Sequence, residues 1–243
     1  MLKIAIAVPC YDKIEPAFFQ SMMSAVTYFY ETRLEDEDGN PLPRKVQVFV
    51  ASGIIQEARH KLFKEALAWD ADYILWADCD HIFPDDTIPR LLSHQLDIVG
   101  CNYARRVPYN QPTMPVAAKL GRDDYPEGEK LCYTTPEKAE ANELERVDHM
   151  GLGLTLMRMS ILEKLILQAE ADGAASFMPL FHWEDKGDGA GSIGEDVYFF
   201  AKCRKAGIDV WCDHGLSWEV GHISKTILTH AHVQRDIKRL NGG

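Results

Sequence analysis

The sequence predicts an α/β fold: a mostly parallel sheet with helices on both faces and a smaller antiparallel extension. Three features predict it. Ile4–Val8 and Tyr73–Ala77 are apolar runs without polar alternation, as expected of strands covered on both faces. Between such runs lie segments with three- and four-residue apolar spacing, so strands and helices alternate along the chain. Finally, Trp76-Ala77 leads straight into Asp78-Cys79-Asp80, which places carboxylates at the carboxyl end of a strand, where open parallel sheets bind ligands.

Taken in order, Ile4–Val8 is the first strand, and Pro9-Cys10-Tyr11-Asp12 is expected to break it. Phe18, Met22, Val26 and Phe29 then predict a helix from about Glu15 to Tyr30. The acidic stretch EDEDGNPLPR reads as an exposed loop. Lys45–Ala51 is a second strand, Ser52 a candidate cap, and Ile54–Trp69 a second helix. After the third strand, Tyr73–Ala77, Asp85-Asp86 opens a short helix through Leu92, and Leu96–Cys101 is a fourth strand. Pro115–Leu120 and Lys130–Thr134 are short strand-like pieces of the antiparallel extension. Val147–Arg158 reads as one strand and Ser160–Ala171 as a helix. The glycine- and acid-rich stretch Phe177–Gly194 is a long loop, a length usually tied to function. Glu195–Ala206 is helical and stops at Gly207, Ile208–Cys212 is a further strand, and Lys225–Leu240 is a polar tail.

Composition narrows the partners. The formal net charge of −11 and pI of about 5.3 repel a polyanion, and no run of Lys and Arg offsets this, so nucleic acid and anionic membrane surfaces are disfavoured. The six cysteines form no CxxC pair, and several lie in apolar strand-like runs, which reads as a reducing, cytoplasmic setting. The apolar start is far too short to span a bilayer, so no transmembrane segment is expected.

Asp78 and Asp80 are the strongest chemical signal, because two carboxylates one residue apart can reach a single hard cation. His222, after Gly221, is a candidate further ligand, since a neutral imidazole beside carboxylates suits manganese, whereas magnesium favours oxygen. Lys225 could then sit on a diphosphate. Glu195 and Asp196 open a helix, where carboxylates either interact with its dipole or serve as a general base. Tyr11 could stack on a nucleobase beside a polar neighbour, Asp12, although turn chemistry alone also explains Pro9 and Asp12. Arg59 is a candidate partner for a diphosphate or a carboxylate. Trp183 is either a sugar-stacking ring or a buried anchor, and Gly151 and Gly153 either shape an acceptor site or allow tight packing.

The ordered set Ala7-Val8-Pro9-Cys10-Tyr11, Glu57-Ala58-Arg59, Leu75-Trp76-Ala77-Asp78-Cys79-Asp80, Met150-Gly151-Leu152-Gly153, Gly194-Glu195-Asp196-Val197-Tyr198-Phe199 and Val220-Gly221-His222 resembles the family 2-like glycosyltransferases of the GT-A (Rossmann-like) fold. The resemblance spans nearly the whole chain. It implies one domain over 1–243, with a nucleotide-sugar-binding half at 1–101, an acceptor-side half at 102–225 and a tail at 226–243. It implies a UDP- or GDP-sugar donor and transfer of the sugar to an acceptor hydroxyl. Mn²⁺ or Mg²⁺ would sit at Asp78 and Asp80 with His222 added, Tyr11 would lie against the base, and Asp196, with Glu195 next, would be the base of an inverting enzyme, favoured over a retaining one that needs no external base. Two departures are Asp12, where this motif often has Asn, and the long loop before Glu195.

Two rivals follow from the same residues. A nucleotidyltransferase also pairs an α/β sheet with a carboxylate-bound metal, but typically carries a glycine-rich basic loop where this chain has PCYDKIEP. A non-catalytic nucleotide-sugar-binding module would keep the fold with a degenerate site.

Overall fold

The computed structural model describes residues 1–36, 38–106, 112–120, 129–173, 179–185, 192–224, 227–230, 233, 234 and 237. In chain order the elements are β1 (Leu2–Cys10), α1 (Pro16–Glu31), β2 (Arg44–Ser52), α2 (Ile55–Ala68), β3 (Tyr73–Ala77), β4 (His81–Ile82), α3 (Thr87–Ser93) and β5 (Ile98–Gly100). There follow β6 (Ala118–Lys119), β7 (Lys130–Leu131), α4 (Pro136–Glu140), β8 (Leu144–Val147), β9 (Leu154–Arg158) and α5 (Ile161–Ala171). The last are β10 (Glu184–Asp185), β11 (Ser192–Ile193), α6 (Glu195–Lys205), β12 (Val210–Asp213), α7 (His214–Glu219), β13 (Gly221–Ile223) and β14 (Ile227–Leu228).

The central sheet has seven strands in the order β2-β1-β3-β9-β5-β12-β8. β9 and β8 run against the other five. Alternation along each buried strand divides the core between the two faces. Ala5, Ala7, Ile74 and Trp76 pack with α2, α5 and α6, through Leu62, Phe63, Leu165, Phe199 and Phe200. Ile4, Ile6, Val8, Leu75 and Ala77 pack with α1 and α3, through Phe18, Phe29, Ile88 and Leu91. The expected mostly parallel sheet with helices on both faces is present. So is the antiparallel extension, where β6 pairs with β7 and Ala118 bridges to His149. Gly207, at φ +69°, ends α6 as expected. Among the described residues no helix is long and apolar enough to cross a membrane.

Three expectations are corrected. Val147–Arg158 is two strands: β8 pairs with β12 at the sheet margin, whereas β9 is inserted antiparallel between β3 and β5, with a turn through Gly151 and Gly153 between them. Pro9 does not break β1, which continues to Cys10; it lies past the last β1–β3 pair, at Ala7, where a missing N–H is tolerated. Ser52 ends β2 and does not cap α2; the turn is made by Gly53 at φ +129° and Ile54 takes the cap position without a side-chain bond. The segment 214–223 forms α7 and β13, and β13 joins β4 and β14 in a small three-stranded sheet. Within the loop 177–194, a β10–β11 ribbon follows the buried Phe181, and positions 177, 178 and 186–191 lie outside the described residues.

Candidate active site

The candidate residues gather where the main sheet meets the small one. β3 ends at Ala77, the Asp78 N–H donates to the Gly153 carbonyl at 2.8 Å, and the chain turns into β4. β4 and β13 are antiparallel and their register sets His81 opposite His222. The two imidazoles stack with centroids 4.4 Å apart and planes inclined by 16°. Asp80 spans both, with Oδ1 3.2 Å from His81 Nδ1 and Oδ2 3.5 Å from His222 Nε2. Burial works against charge on Asp80, yet the bonds to His222 and His81 prevail and hold its pKa well below the usual carboxylate range. Burial pushes the His81 pKa down, which favours its neutral, metal-binding form.

The donor set fits a divalent cation. One ligand atom from each of Asp80, His81 and His222 lies within 4.8 Å of the others. His222 Nδ1 lies 2.8 Å from the Ala104 carbonyl, which can only accept, so Nδ1 carries a proton and Nε2 is the nitrogen turned towards Asp80, the one available to a cation. His81 Nε2 is buried without a hydrogen-bond partner. Two imidazoles with one carboxylate suit manganese better than magnesium. His81 was missed in the sequence, although it directly follows Asp80. A second acid–imidazole group, Glu143, Glu145 and His214, differs, because Lys119 and Lys138 already bind Glu145. Burial opposes this, but those lysines and His214 hold the Glu145 pKa at about 2.

Asp78 does not join the metal group. Its carboxylate turns to Arg59, whose Nη2 is 3.0 Å from Oδ1. Arg59 lies on the buried face of α2 beside Leu62 and Phe63, and is only 2% exposed. Its Nε reaches Glu195 at 3.2 Å and its guanidinium lies 5.4 Å from the Trp76 ring centroid. Burial lowers its pKa, but Asp78 and Glu195 outweigh this and raise it overall. Of the two partners expected for Arg59, the structure thus supplies carboxylates.

The two acidic residues opening α6 have separated roles. Glu195 is buried between Arg59 and the Trp183 indole N–H, which donates to Oε2 at 2.9 Å. The Trp183 backbone N–H in turn donates to Gln56. Trp183 is 52% exposed, so it anchors Glu195 without being buried. Asp196 lines a cleft of about 410 Å³ with Arg105, Glu129, His149, Ile193 and Val197. Burial, followed by the adjacent Glu195 charge, raises the Asp196 pKa to about 6.

Tyr11, 82% exposed, and the exposed Asp12 stand at the carboxyl end of β1, whereas Pro9 is buried within the strand and offers no ligand surface. Gly151 and Gly153 serve tight packing. A Cβ on Gly151 would collide with the Tyr103 hydroxyl, and one on Gly153 would lie 2.6 Å from that hydroxyl and 2.6 Å from the His81 ring. The buried Tyr103 accepts the Gly153 N–H at 3.0 Å and packs edge-on to His81. Lys225 lies outside the described residues.

No family model and no curated protein matches this sequence. Solved structures do match. GalNAc-T7, solved with UDP, GalNAc and Mn²⁺, aligns over 98% of this chain and 48% of its own, at TM-score 0.53 and 12% identity. The chain spans about half the length of that protein. The fold is GT-A-like. A197 from STIV aligns over 92% of this chain and 86% of its own, at TM-score 0.47 and 15% identity. A mutant Drosophila β1,4-galactosyltransferase 7, solved with manganese, UDP-Gal and xylobiose, aligns over 97% and 75%, at TM-score 0.43 and 16% identity.

Proposed function

We propose that the chain is a metal-dependent, inverting glycosyltransferase that moves a sugar from a UDP- or GDP-sugar to an acceptor hydroxyl. The observation that carries this reading is the Asp80–His81–His222 group at the carboxyl end of β3. Asp80, His81 and His222 would hold Mn²⁺, with Asp78 fixed beside them by Arg59. Such a cation, when bound, would supply positive charge to a departing diphosphate. GalNAc-T7, a structural neighbour of this fold, was solved with UDP, GalNAc and Mn²⁺.

Asp196 is the general base. It borders the cleft, where an acceptor fits, and a pKa near 6 leaves it deprotonated at neutral pH yet basic enough to take a hydroxyl proton. Glu195 is a positioning residue, because Arg59 and Trp183 already bind its two oxygens. Tyr11 receives the base of the nucleotide, its ring exposed at the end of β1.

Thermal shifts with UDP, GDP and their sugar conjugates, each with and without Mn²⁺, test the reading. A ligand at 100 times its Kd adds about 2.7 kcal/mol of stability. A rise that needs both nucleotide and Mn²⁺ is expected, followed by transfer or slow hydrolysis of the matching donor. Pyrophosphate release from a nucleoside triphosphate would instead identify a nucleotidyltransferase. Metal-dependent donor binding without turnover across a broad acceptor screen would identify a binding module.

A further inference from the structure

Asp80 Oδ2 has a second neighbour besides His222, and this one is a permanent cation. Arg106 Nη1 lies 3.0 Å from that oxygen, and no motif in the sequence singles this arginine out. The backbone leading to Arg106 is tied down: Ala104 accepts from His222, Ala104 bridges to Pro115, and the Arg105 N–H donates to Met114 at 2.8 Å. Its side chain is 59% exposed, unlike the buried Arg59, so it can change rotamer without moving the strand margin. Asp78 already has its cation in Arg59, which leaves Arg106 to neutralise Asp80 from the solvent side.

A guanidinium and a divalent ion repel each other when both approach one carboxylate oxygen. A nucleotide diphosphate bound to that ion, however, offers pairs of oxygens that the planar guanidinium fork can bind two at a time. We propose that Arg106 and the divalent cation alternate on Asp80 Oδ2, and that metal binding hands the Arg106 guanidinium to the diphosphate of the donor. The inference rests on the metal site proposed above. It makes Arg106 a donor-binding residue and couples metal binding to nucleotide binding. The arginine stands in for the metal before loading and reinforces the metal's grip on the diphosphate afterwards.

The test uses the full chain, with Mn²⁺ alone as the first probe and UDP and GDP in saturating Mn²⁺ as the second, both by calorimetry. Removing a half-exposed competing charge should tighten Mn²⁺ binding by about two- to five-fold in Arg106→Ala, the range of exposed ion pairs. The same variant should weaken the nucleotide diphosphate that binds wild type by about ten-fold or more, as expected for loss of a charge-assisted contact. Arg106→Lys keeps the charge without the fork, so it should restore wild-type Mn²⁺ affinity but only part of the nucleotide affinity. Mn²⁺ binding that is unchanged or weaker in Arg106→Ala would overturn the alternation, as would nucleotide affinity that ignores both substitutions. In those cases Mn²⁺ binding by wild type leaves the metal-site reading standing. If wild type binds no Mn²⁺, both fall together.

Discussion

His81 and His222 are cross-strand partners, stacked 4.4 Å apart, and Asp80 reaches both. Side chains on facing positions of an antiparallel pair share one side of the sheet, so the pairing of two-residue β4 with β13 aims both imidazoles at the same carboxylate. The small sheet is therefore the device that builds the site. It joins the turn after β3 to a strand far along the chain.

Each histidine should matter separately for metal binding. His222→Ala and His81→Ala are expected to weaken Mn²⁺ binding by at least about ten-fold each, since even partners behind a ligand are worth 10–100-fold. Calorimetry with Mn²⁺ checks this. Normal affinity in His81→Ala would reduce His81 to a packing partner of His222 and Tyr103.

Gly151 should tolerate no side chain. Its missing Cβ makes room for the Tyr103 hydroxyl, and Tyr103 packs against His81. Gly151→Ala is expected to cost about 1–3 kcal/mol by overpacking and to weaken Mn²⁺ binding as Tyr103 presses on His81. Urea denaturation and Mn²⁺ titration read the two effects. A fully stable variant would mean that Tyr103 has room to withdraw.

Much of this arrangement was legible beforehand, and the rest was hidden for specific reasons. Asp78-Cys79-Asp80 announced itself because an apolar strand ran into it, and Glu195-Asp196 because a glycine preceded them and a helix followed. The direction of β9 was not readable, since a strand buried on both faces looks the same whichever way it runs. The partner of His81 was equally hidden, because strands as short as β4 and β13 leave no periodic pattern. Arg59 did carry a signal: it lies three and four residues before Leu62 and Phe63, on the same helical face, and so points inward.

Arg59 should be the most costly charge to remove. It is buried between Asp78 and Glu195, and its loss leaves two carboxylates without their cation. Arg59→Met is expected to destabilise the fold by about 3–5 kcal/mol, as when one partner of a buried pair is deleted. Arg59→Lys keeps the charge but cannot span both carboxylates with one fork, so it should fall between wild type and Met. Denaturant midpoints provide the comparison, and a Met variant as stable as wild type would show that the pairing is dispensable.

Glu195 and Asp196 are adjacent, and their substitutions should separate them. Asp196→Asn should lower the transfer rate by about 10²–10⁴-fold with donor and Mn²⁺ binding intact, the usual worth of a general base. Glu195→Gln keeps an acceptor oxygen for Trp183 or Arg59, so it should lose stability before it loses chemistry. The pH profile gives a further reading. With its pKa raised to about 6, Asp196 becomes the active carboxylate as pH rises, so kcat/KM should climb through about pH 6 and level off above it. Stability runs the other way. A carboxyl whose folded pKa exceeds its unfolded value of about 3.9 contributes fully below that value, and the contribution is lost as pH rises through about 6. Asp196→Asn removes the unfavourable buried charge, so it should melt higher than wild type at pH 8 and show a smaller advantage at pH 5. A variant that is inactive yet less stable at pH 8 would mean that Asp196 supports the fold, and the base would have to be sought elsewhere in the cleft.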